Sequence, residues 1–281
     1  MKDTGTWLRH AAAVLDKAGC DTPRLDAECL LAHAWGMNRS QLFSRMKDPI
    51  PEDVLEKSNA LISLRAKREP LAHITGRREF WSRNFEVSPA TLIPRPETEH
   101  LIEAALRHFP DQDIQLSFCD LGTGSGCIAI TLALEYPHAL GIGCDIDYHA
   151  LQCAKRNAKR HNVSKRLRLI QADMLSAFSS SKHFDLIIAN PPYVAADEMS
   201  ALEPELGYEP RHALTDGMDG MSYLRKILQS GDMFLRENGR IIVETGICGL
   251  PETPSGLIRL ETLHDLSGQL RGAVYRRALP D

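Results

Sequence analysis

Asn190, Pro191, Pro192 and Tyr193 stand at the end of an unbroken apolar run, Asp185-Leu-Ile-Ile-Ala189. A run of this kind reads as a buried central strand, and the carboxyl end of such a strand is where open α/β sheets place their ligands. The residue types fit one chemistry. The nitrogen of an amide or an aromatic amine is a poor nucleophile because its lone pair is delocalised. The Asn190 side-chain oxygen and the Pro191 carbonyl can each accept one N–H of such a planar –NH2. Two fixed acceptors aim the nitrogen for in-line attack and favour its pyramidal, charge-gaining transition state. Pro191 and Pro192 stiffen the turn, and Tyr193 offers a face to the planar group. No strong general base is needed, since the proton turns acidic as the nitrogen is alkylated. An ordinary Pro-Pro turn closing a strand is the competing explanation while the motif stands alone.

A second motif precedes it. Phe118-Cys-Asp-Leu-Gly-Thr-Gly-Ser-Gly126 joins a predicted strand to a predicted helix. Gly122, Gly124 and Gly126 let the backbone turn sharply and approach a ligand, with Thr123 and Ser125 between them. The helix N-terminus beyond offers free N–H groups. Asp145 ends the next predicted strand, 23 residues after Gly122, where a carboxylate can accept both hydroxyls of a ribose. The spacing is Gly-x-Gly-x-Gly rather than the dinucleotide Gly-x-Gly-x-x-Gly, which disfavours a nicotinamide cofactor. Asp120 would repel a pyrophosphate and attract the ammonium of a methionine moiety. The glycines point to a nucleoside and Asp120 to a sulfonium.

The elements that must position these motifs alternate. A helix over 97–108 precedes strand 116–121, helix 125–135, strand 140–145, helix 148–161 and strand 167–171. Strand 184–189, a helix near 219–236 and strand 239–245 follow. The alternation predicts an α/β domain over 99–281 with a mainly parallel sheet covered on both faces. Residues 1–75 read as a small helical bundle. Leu8, Ala11, Ala12 and Leu15 mark one helix, Asp26 to Trp35 another, Ser40 caps a third, and Pro51 opens a fourth with Leu55, Leu61, Ile62 and Leu64 as its stripe. Between them, 76–98 reads as a linker. Phe80, Trp81, Phe85 and Val87 with turn residues Asn84, Ser88 and Pro89 predict a β-hairpin, and Pro94 and Pro96 stiffen an extended run. Ser179-Ser180-Ser181 sits in a loop.

Composition closes off other classes. The 281 residues carry a net charge of -4, so no overall basic footprint argues for nucleic acid. Lys155, Arg156, Lys159, Arg160, Lys165, Arg166 and Arg168 do cluster, but at the spacing of a solvated face. No stretch is long and apolar enough to span a bilayer, and the first residues lack a signal-peptide core. Seven cysteines without a Cys-x-x-Cys pair fit neither a disulfide framework nor a zinc site. The expectation is a cytoplasmic, metal-free monomer that does not bind nucleic acid or membrane directly.

Leu92-Ile-Pro-Arg-Pro-Glu-Thr-Glu99, Asp120-Leu-Gly-Thr-Gly-Ser-Gly126, Asp185 to Tyr193, and Tyr208-Glu-Pro210 with Asp219-Gly220 occur in that order. Together with Leu25-Asp-Ala-Glu-Cys-Leu-Leu31 they resemble the peptide chain release factor glutamine N5-methyltransferase family over nearly the whole chain. The resemblance implies a Rossmann-like class I methyltransferase fold with a seven-stranded sheet, and S-adenosylmethionine as cofactor, leaving as S-adenosylhomocysteine. It implies that the substrate is the glutamine of a Gly-Gly-Gln tripeptide in bacterial-type class I release factors. By the same resemblance Asp120, Gly122 to Gly126, Asp145, Asp173, Met174 and Asn190 surround the cofactor. Asn190 to Tyr193 hold the glutamine, with Asn190 and Pro191 acting on the reacting nitrogen, and Arg95 and Glu97 shape the substrate side. The Asn-Pro-Pro-Tyr motif is shared with DNA adenine and ribosomal-protein methyltransferases, so adenine-N6 and ribosomal-protein glutamine methylation are the alternatives. After Gly246 the family continues through a turn and a helix; here only Ile247 to Ser255 intervene before the next strand.

Overall fold

The computed structural model describes residues 3–179 and 181–278. Residues 1, 2 and 279–281 of the expected domains, and Ser180 of the expected serine loop, lie outside them. The chain divides into two compact units, Met1–Arg77 with Glu203–Tyr208, and Arg78–Leu202 with Glu209–Asp281.

The first unit is helical. Helix α1 (Thr4–Lys17) begins where the Asp3 carboxylate accepts from the Thr6 N–H, and it buries Trp7, Leu8, Ala11 and Leu15. Helix α2 (Pro23–Ala34) packs on that stripe through Ala27, Leu30 and Leu31. Helix α3 (Arg39–Phe43) is capped by Asn38 in a capping box with Gln41, not by Ser40 as expected. Asn38 is the residue whose side chain reaches the third N–H. In helix α4 (Glu52–Arg65) the expected stripe holds in part: Ile62 is buried and Leu55 and Leu61 pack against the core, but Leu64 is exposed, and Val54, Ser58 and Arg65 are buried beside Ile62. The helix is rotated because Arg65 has partners inside. Its Nε donates to Asp26 at 2.7 Å and its Nη1 to Glu205 at 2.9 Å, and Arg68 donates to both Glu205 oxygens. These bonds account for Glu203–Tyr208 belonging to this unit. Helix α5 (Leu71–Thr75) closes it at Gly76, which is left-handed.

A hairpin follows, β1 (Arg77–Phe80) and β2 (Arg83–Glu86), all but Arg77 belonging to the second unit. Its turn is Trp81-Ser82, both residues at positive φ, while Asn84 lies inside β2. Two left-handed residues match the twist of the flanking strands. Bonds to the turn offset the strain: the Trp81 N–H donates to Glu99 and its indole N–H to Glu135. A 3-10 turn at Pro96–Thr98 leads into α6 (Glu99–His108). Then come β3 (Ser117–Leu121), α7 (Cys127–Glu135), β4 (Leu140–Asp145), α8 (Tyr148–Arg160), β5 (Leu167–Gln171) and β6 (Phe184–Ala189). The chain continues through α9 (Arg211–Leu214), α10 (Ser222–Gly231), β7 (Leu235–Glu244), β8 (Leu257–His264) and β9 (Leu270–Arg277).

The seven-stranded sheet has the order β5-β4-β3-β6-β7-β9-β8, and only β9 runs against the rest. Alternate residues of its strands enter two cores. Phe118, Leu186, Ile188 and Ile242 pack with α6 and α7, whereas Leu121, Ile187, Ile241 and Val243 pack with α10. α10 is shorter than the helix expected over 219–236, and β7 begins at 235 rather than 239. No helix follows β7 before β8; the 245–256 connection is irregular, and Leu250 packs against the core on the α10 side. On α8, Lys155, Arg156, Lys159 and Arg160 are exposed. Arg166 instead turns inward onto the carbonyls of Ala133, Tyr136 and Ala139. Among the described residues no helix is long and apolar enough to cross a membrane.

Candidate active site

The chain leaves β3 for β4 on one side and returns to β6 on the other, so a crevice opens at the carboxyl ends of β3 and β6. Register sets what meets there. Leu121 pairs with Cys144 and with Ala189, and Ala189 pairs with Val243. The next residues, Asp145, Gly122, Asn190 and Glu244, therefore leave four adjacent strands at one level, spread over about 14 Å at the usual strand spacing.

The glycine loop is held from behind. The Gly122 and Thr123 N–H groups both donate to the Cys144 carbonyl. Gly122, Gly124 and Gly126 all have positive φ, between 55° and 82°. A Cβ on Gly126 would meet Ile130 and Ala154 at 3.0 and 3.2 Å, so this glycine serves packing. A Cβ on Gly122 would meet nothing within 4 Å and one on Gly124 only the Gly122 carbonyl oxygen at 4.0 Å, and both glycines line the cleft. Asn157 donates to the Ser125 carbonyl at 2.9 Å, tying the loop to α8.

Of the expected site residues, Gly122, Gly124, Asp145, Asp173, Met174, Asn190 and Pro192 line one cleft. Asp145 accepts from the Gly124 and Asp147 N–H groups at 2.8 and 2.9 Å, and burial pushes its carboxyl up. Asp173 pairs with Lys226, and Met174 follows it at positive φ. Thr123, Ser125 and Gly126 lie behind the lining. So does Asp120, fully buried: its Oδ2 accepts from the Thr123 hydroxyl at 2.6 Å and the Ala129 N–H at 3.2 Å. Burial pushes the Asp120 carboxyl up to about 7, and its Oδ1 has no partner among the described residues. Arg95 and Glu97 do not line the cleft. Arg95 pairs with Glu209, whose other oxygen accepts from the Ile93 N–H at 2.8 Å. Glu97 is exposed.

Asn190 is the most informative residue. Its Nδ2 donates to the Thr98 hydroxyl at 2.9 Å, while its Oδ1 is buried without a partner among the described residues. A buried unsatisfied acceptor is costly, and one beside a cleft is suited to a ligand N–H. Tyr193 donates its hydroxyl to Glu244 Oε1 at 3.0 Å, and its ring packs against Gly246, where a Cβ would lie 2.5 Å away. Glu244 is buried and its carboxyl is pushed up to about 7 by burial, against the Thr98 and Tyr193 hydroxyls that favour its ionised form. Gly220 lies against the Tyr193 backbone, where a Cβ would sit 2.4 Å from the carbonyl oxygen. Thr98, Glu209, Gly220 and Glu244 were missed as site residues, as were the lining residues Leu92, Ile146, His212 and Tyr223. The quoted motifs contain Thr98, Glu209 and Gly220, but no local signal assigns them a partner.

A family model described as "PrmC N-terminal domain" matches residues 6–76, and one described as "Methyltransferase small domain" matches residues 102–218. Among solved structures, the catalytic domain of hMettl16, in complex with MAT2A 3'UTR hairpin 6, aligns with a TM-score of 0.55 at 16% identity. It covers 79% of this chain and 83% of that one, and the likeness is one of fold. A release factor glutamine methyltransferase of Escherichia coli K12 is 37% identical over 240 residues, 85% of this chain and 84% of the relative. One from Cereibacter sphaeroides is 42% identical over 271 residues, 94% of this chain and 95% of the relative. With identity at this level over nearly the full length of both proteins, the chain belongs to the release factor glutamine methyltransferase family.

Proposed function

We propose that the chain transfers a methyl group from S-adenosylmethionine to the side-chain nitrogen of the glutamine in a release factor's Gly-Gly-Gln tripeptide. The observation that carries this reading is the divided Asn190 amide, with its nitrogen bound to Thr98 and its oxygen left as a buried, unpaired acceptor. A primary amide has two N–H donors. One goes to Asn190 Oδ1 and the other to the Pro191 carbonyl, which the adjoining Pro192 stiffens.

The cleft fits the cofactor. Open space beside Gly122 and Gly124 admits the methionine part, and the Asp145 oxygens keep lone pairs for ribose hydroxyls. Met174 and Ile146, at the β5 and β4 end of the cleft, give a purine apolar contact. The bound cofactor supplies an electrophilic methyl group on a cationic sulfur. The chain's own part is to orient the amide, exclude water and hold the reacting nitrogen while it gains charge.

A Gly-Gly-Gln tripeptide presents little surface, whereas a specific protein contact buries about 800 Å² on each partner. The reading therefore assigns recognition of the release factor to residues 1 to about 75, with Arg95 and Glu97 on the substrate side.

Wild-type enzyme, labelled S-adenosylmethionine and a purified release factor test this directly. The release factor should become labelled, and Asn190→Ala should slow labelling by roughly 10²-fold while cofactor affinity holds. Labelling at the wild-type rate in that variant would overturn the amide-positioning mechanism.

A further inference from the structure

The seven-stranded sheet ends at β5, and among the described residues no strand lies on its outer side. The inner side is fixed by register. Gly141 and Gly143 stand beside Leu167 and Leu169. The Gly141 N–H donates to the Arg166 carbonyl at 2.8 Å, and the Ala172 N–H donates to the Asp145 carbonyl at 2.9 Å. A parallel ladder engages alternate residues of a strand. Arg168 and Ile170 therefore turn their peptide groups toward β4, while Leu167, Leu169 and Gln171 turn theirs outward. The Val163 carbonyl takes the Leu167 N–H. The N–H groups of Leu169 and Gln171, and the carbonyls of all three residues, face away from the sheet.

The same edge borders a groove between β5 and α8, lined by Leu167 and Leu169 and by Lys155, Arg156 and Lys159. Charge there is one-sided. From Tyr148 to Ala172 the sequence holds seven arginines and lysines and no Asp or Glu, in a chain of net charge -4. Arg166 turns inward and Arg156 pairs with Glu86. Lys155, Lys159, Arg160, Lys165 and Arg168 are exposed, with no carboxylate at ion-pair distance among the described residues. Cations on an edge strand keep like edges apart, and Arg168 on β5 serves that purpose. The cations of α8 lie beyond the strand and set the charge of what can occupy the groove.

We infer that β5 and α8 form a docking edge for an extended, acidic segment of another protein, which adds as a strand beside β5 with its carboxylates against these cations. The outward peptide groups of Leu169 and Gln171 supply the main-chain bonds, and alternate side chains of the segment enter the groove over Leu167 and Leu169. A second copy of this edge is excluded by like charge. Nucleic acid fits less well: the groove has no aromatic side chain to stack a base, and phosphates have no use for the leucines or the outward carbonyls. β5 runs on into Ala172 and Asp173, which line the cleft of the candidate active site, so a segment docked here ends beside it. The edge uses none of the residues assigned to the amide or the cofactor, and it holds whatever the methyl acceptor proves to be.

The test is a nuclear magnetic resonance titration of the isotope-labelled full chain with a peptide of about ten alternating glutamates and valines, long enough to cover β5. At low salt the peptide should bind with Kd below about 1 mM and shift the Leu169 and Gln171 amides. Those two amides should also gain protection from hydrogen exchange, while Arg168 and Ile170, already bonded to β4, keep theirs. Raising salt to about 0.5 M should weaken binding at least about fivefold, and Lys155→Glu/Lys159→Glu about tenfold. Gln171→Pro removes one outward N–H and leaves the ladder to β4 intact, so it should weaken binding about as much. Each variant is first checked for wild-type melting and cofactor affinity, and the charge variant alone carries the test if the proline disturbs either. The same peptide with lysine for glutamate should not bind. No amide shift at several millimolar peptide, or equal binding of the lysine peptide, would overturn the inference. So would shifts confined to α8 that Gln171→Pro leaves unchanged, or an RNA strand of equal charge that binds as tightly as the peptide.

Discussion

Replacing Gly220 by Ala should damage methyl transfer without touching any atom that meets the cofactor. Gly220 has φ +77°, and a Cβ there would lie 2.4 Å from the Tyr193 carbonyl oxygen and 3.0 Å from its carbon. Both are backbone atoms and cannot swing aside. Relief to even 3.0 Å moves the oxygen by about 0.6 Å, and ordinary contact distances require more. Displacement propagates along Asn190-Pro-Pro-Tyr because two prolines stiffen the turn. A misplacement of about 1 Å costs roughly 10²-fold in rate, so the variant should lose about 10- to 100-fold in kcat. Left-handed backbone adds a strain of roughly 1–2 kcal/mol for a residue with a Cβ. That corresponds to a melting temperature lower by about 2–4 °C for a chain of this size. Gly122, Gly124 and Asp145 leave other strands, so cofactor affinity should stay within about threefold. Single-turnover transfer, calorimetry with the cofactor and a melting curve separate these effects. Wild-type transfer in Gly220→Ala, or parallel loss of transfer and cofactor binding, would refute the reasoning.

Asp145→Ala should weaken cofactor binding by roughly 1.5–3 kcal/mol through lost ribose bonds, and unchanged binding by calorimetry would remove that assignment. Arg65→Met leaves the buried Asp26 carboxylate without its cation, while Glu205 keeps Arg68, and should cost about 3 kcal/mol. Hydrogen exchange should then quicken in α2, α4 and 203–208 before it does in β3 and β6; unchanged exchange in those helices would contradict it. Asp120 and Glu244 have folded-state carboxyls raised to about 7 by burial, so the folded chain holds protons that the unfolded chain releases near 4. Their contribution to stability is therefore largest at low pH and is lost as pH rises through about 7. The ligand-free melting temperature should fall between pH 5 and 7.5, and Asp120→Asn should lessen the fall. A melting temperature unaffected by Asp120→Asn across that range would contradict the linkage.

The motifs that touch a ligand were legible because their chemistry is local. Three glycines in five residues and a polar turn after an apolar strand declare themselves in sequence. What holds them was not. Thr98 reaches Asn190 across 92 positions, and Tyr193 reaches Glu244 across 51, so no spacing in the chain points from one to the other. The sheet was readable from alternation, with most boundaries within two residues. The errors follow from partners that periodicity ignores. Helix α4 turns Arg65 inward because Asp26 and Glu205 await it, and the hairpin turns at Trp81-Ser82 because Glu99 and Glu135 hold the tryptophan. The short connection after Gly246 was visible as a missing helix, but not that Leu250 reaches the core on the α10 side.

Tandem mass spectrometry of a release factor incubated with the enzyme and S-adenosylmethionine locates the transferred methyl. A single methyl on the side-chain nitrogen of the Gly-Gly-Gln glutamine, absent when Asn190→Ala replaces the wild type, is the expected result. An unmodified glutamine, or a methyl on another residue, would contradict the proposed reaction.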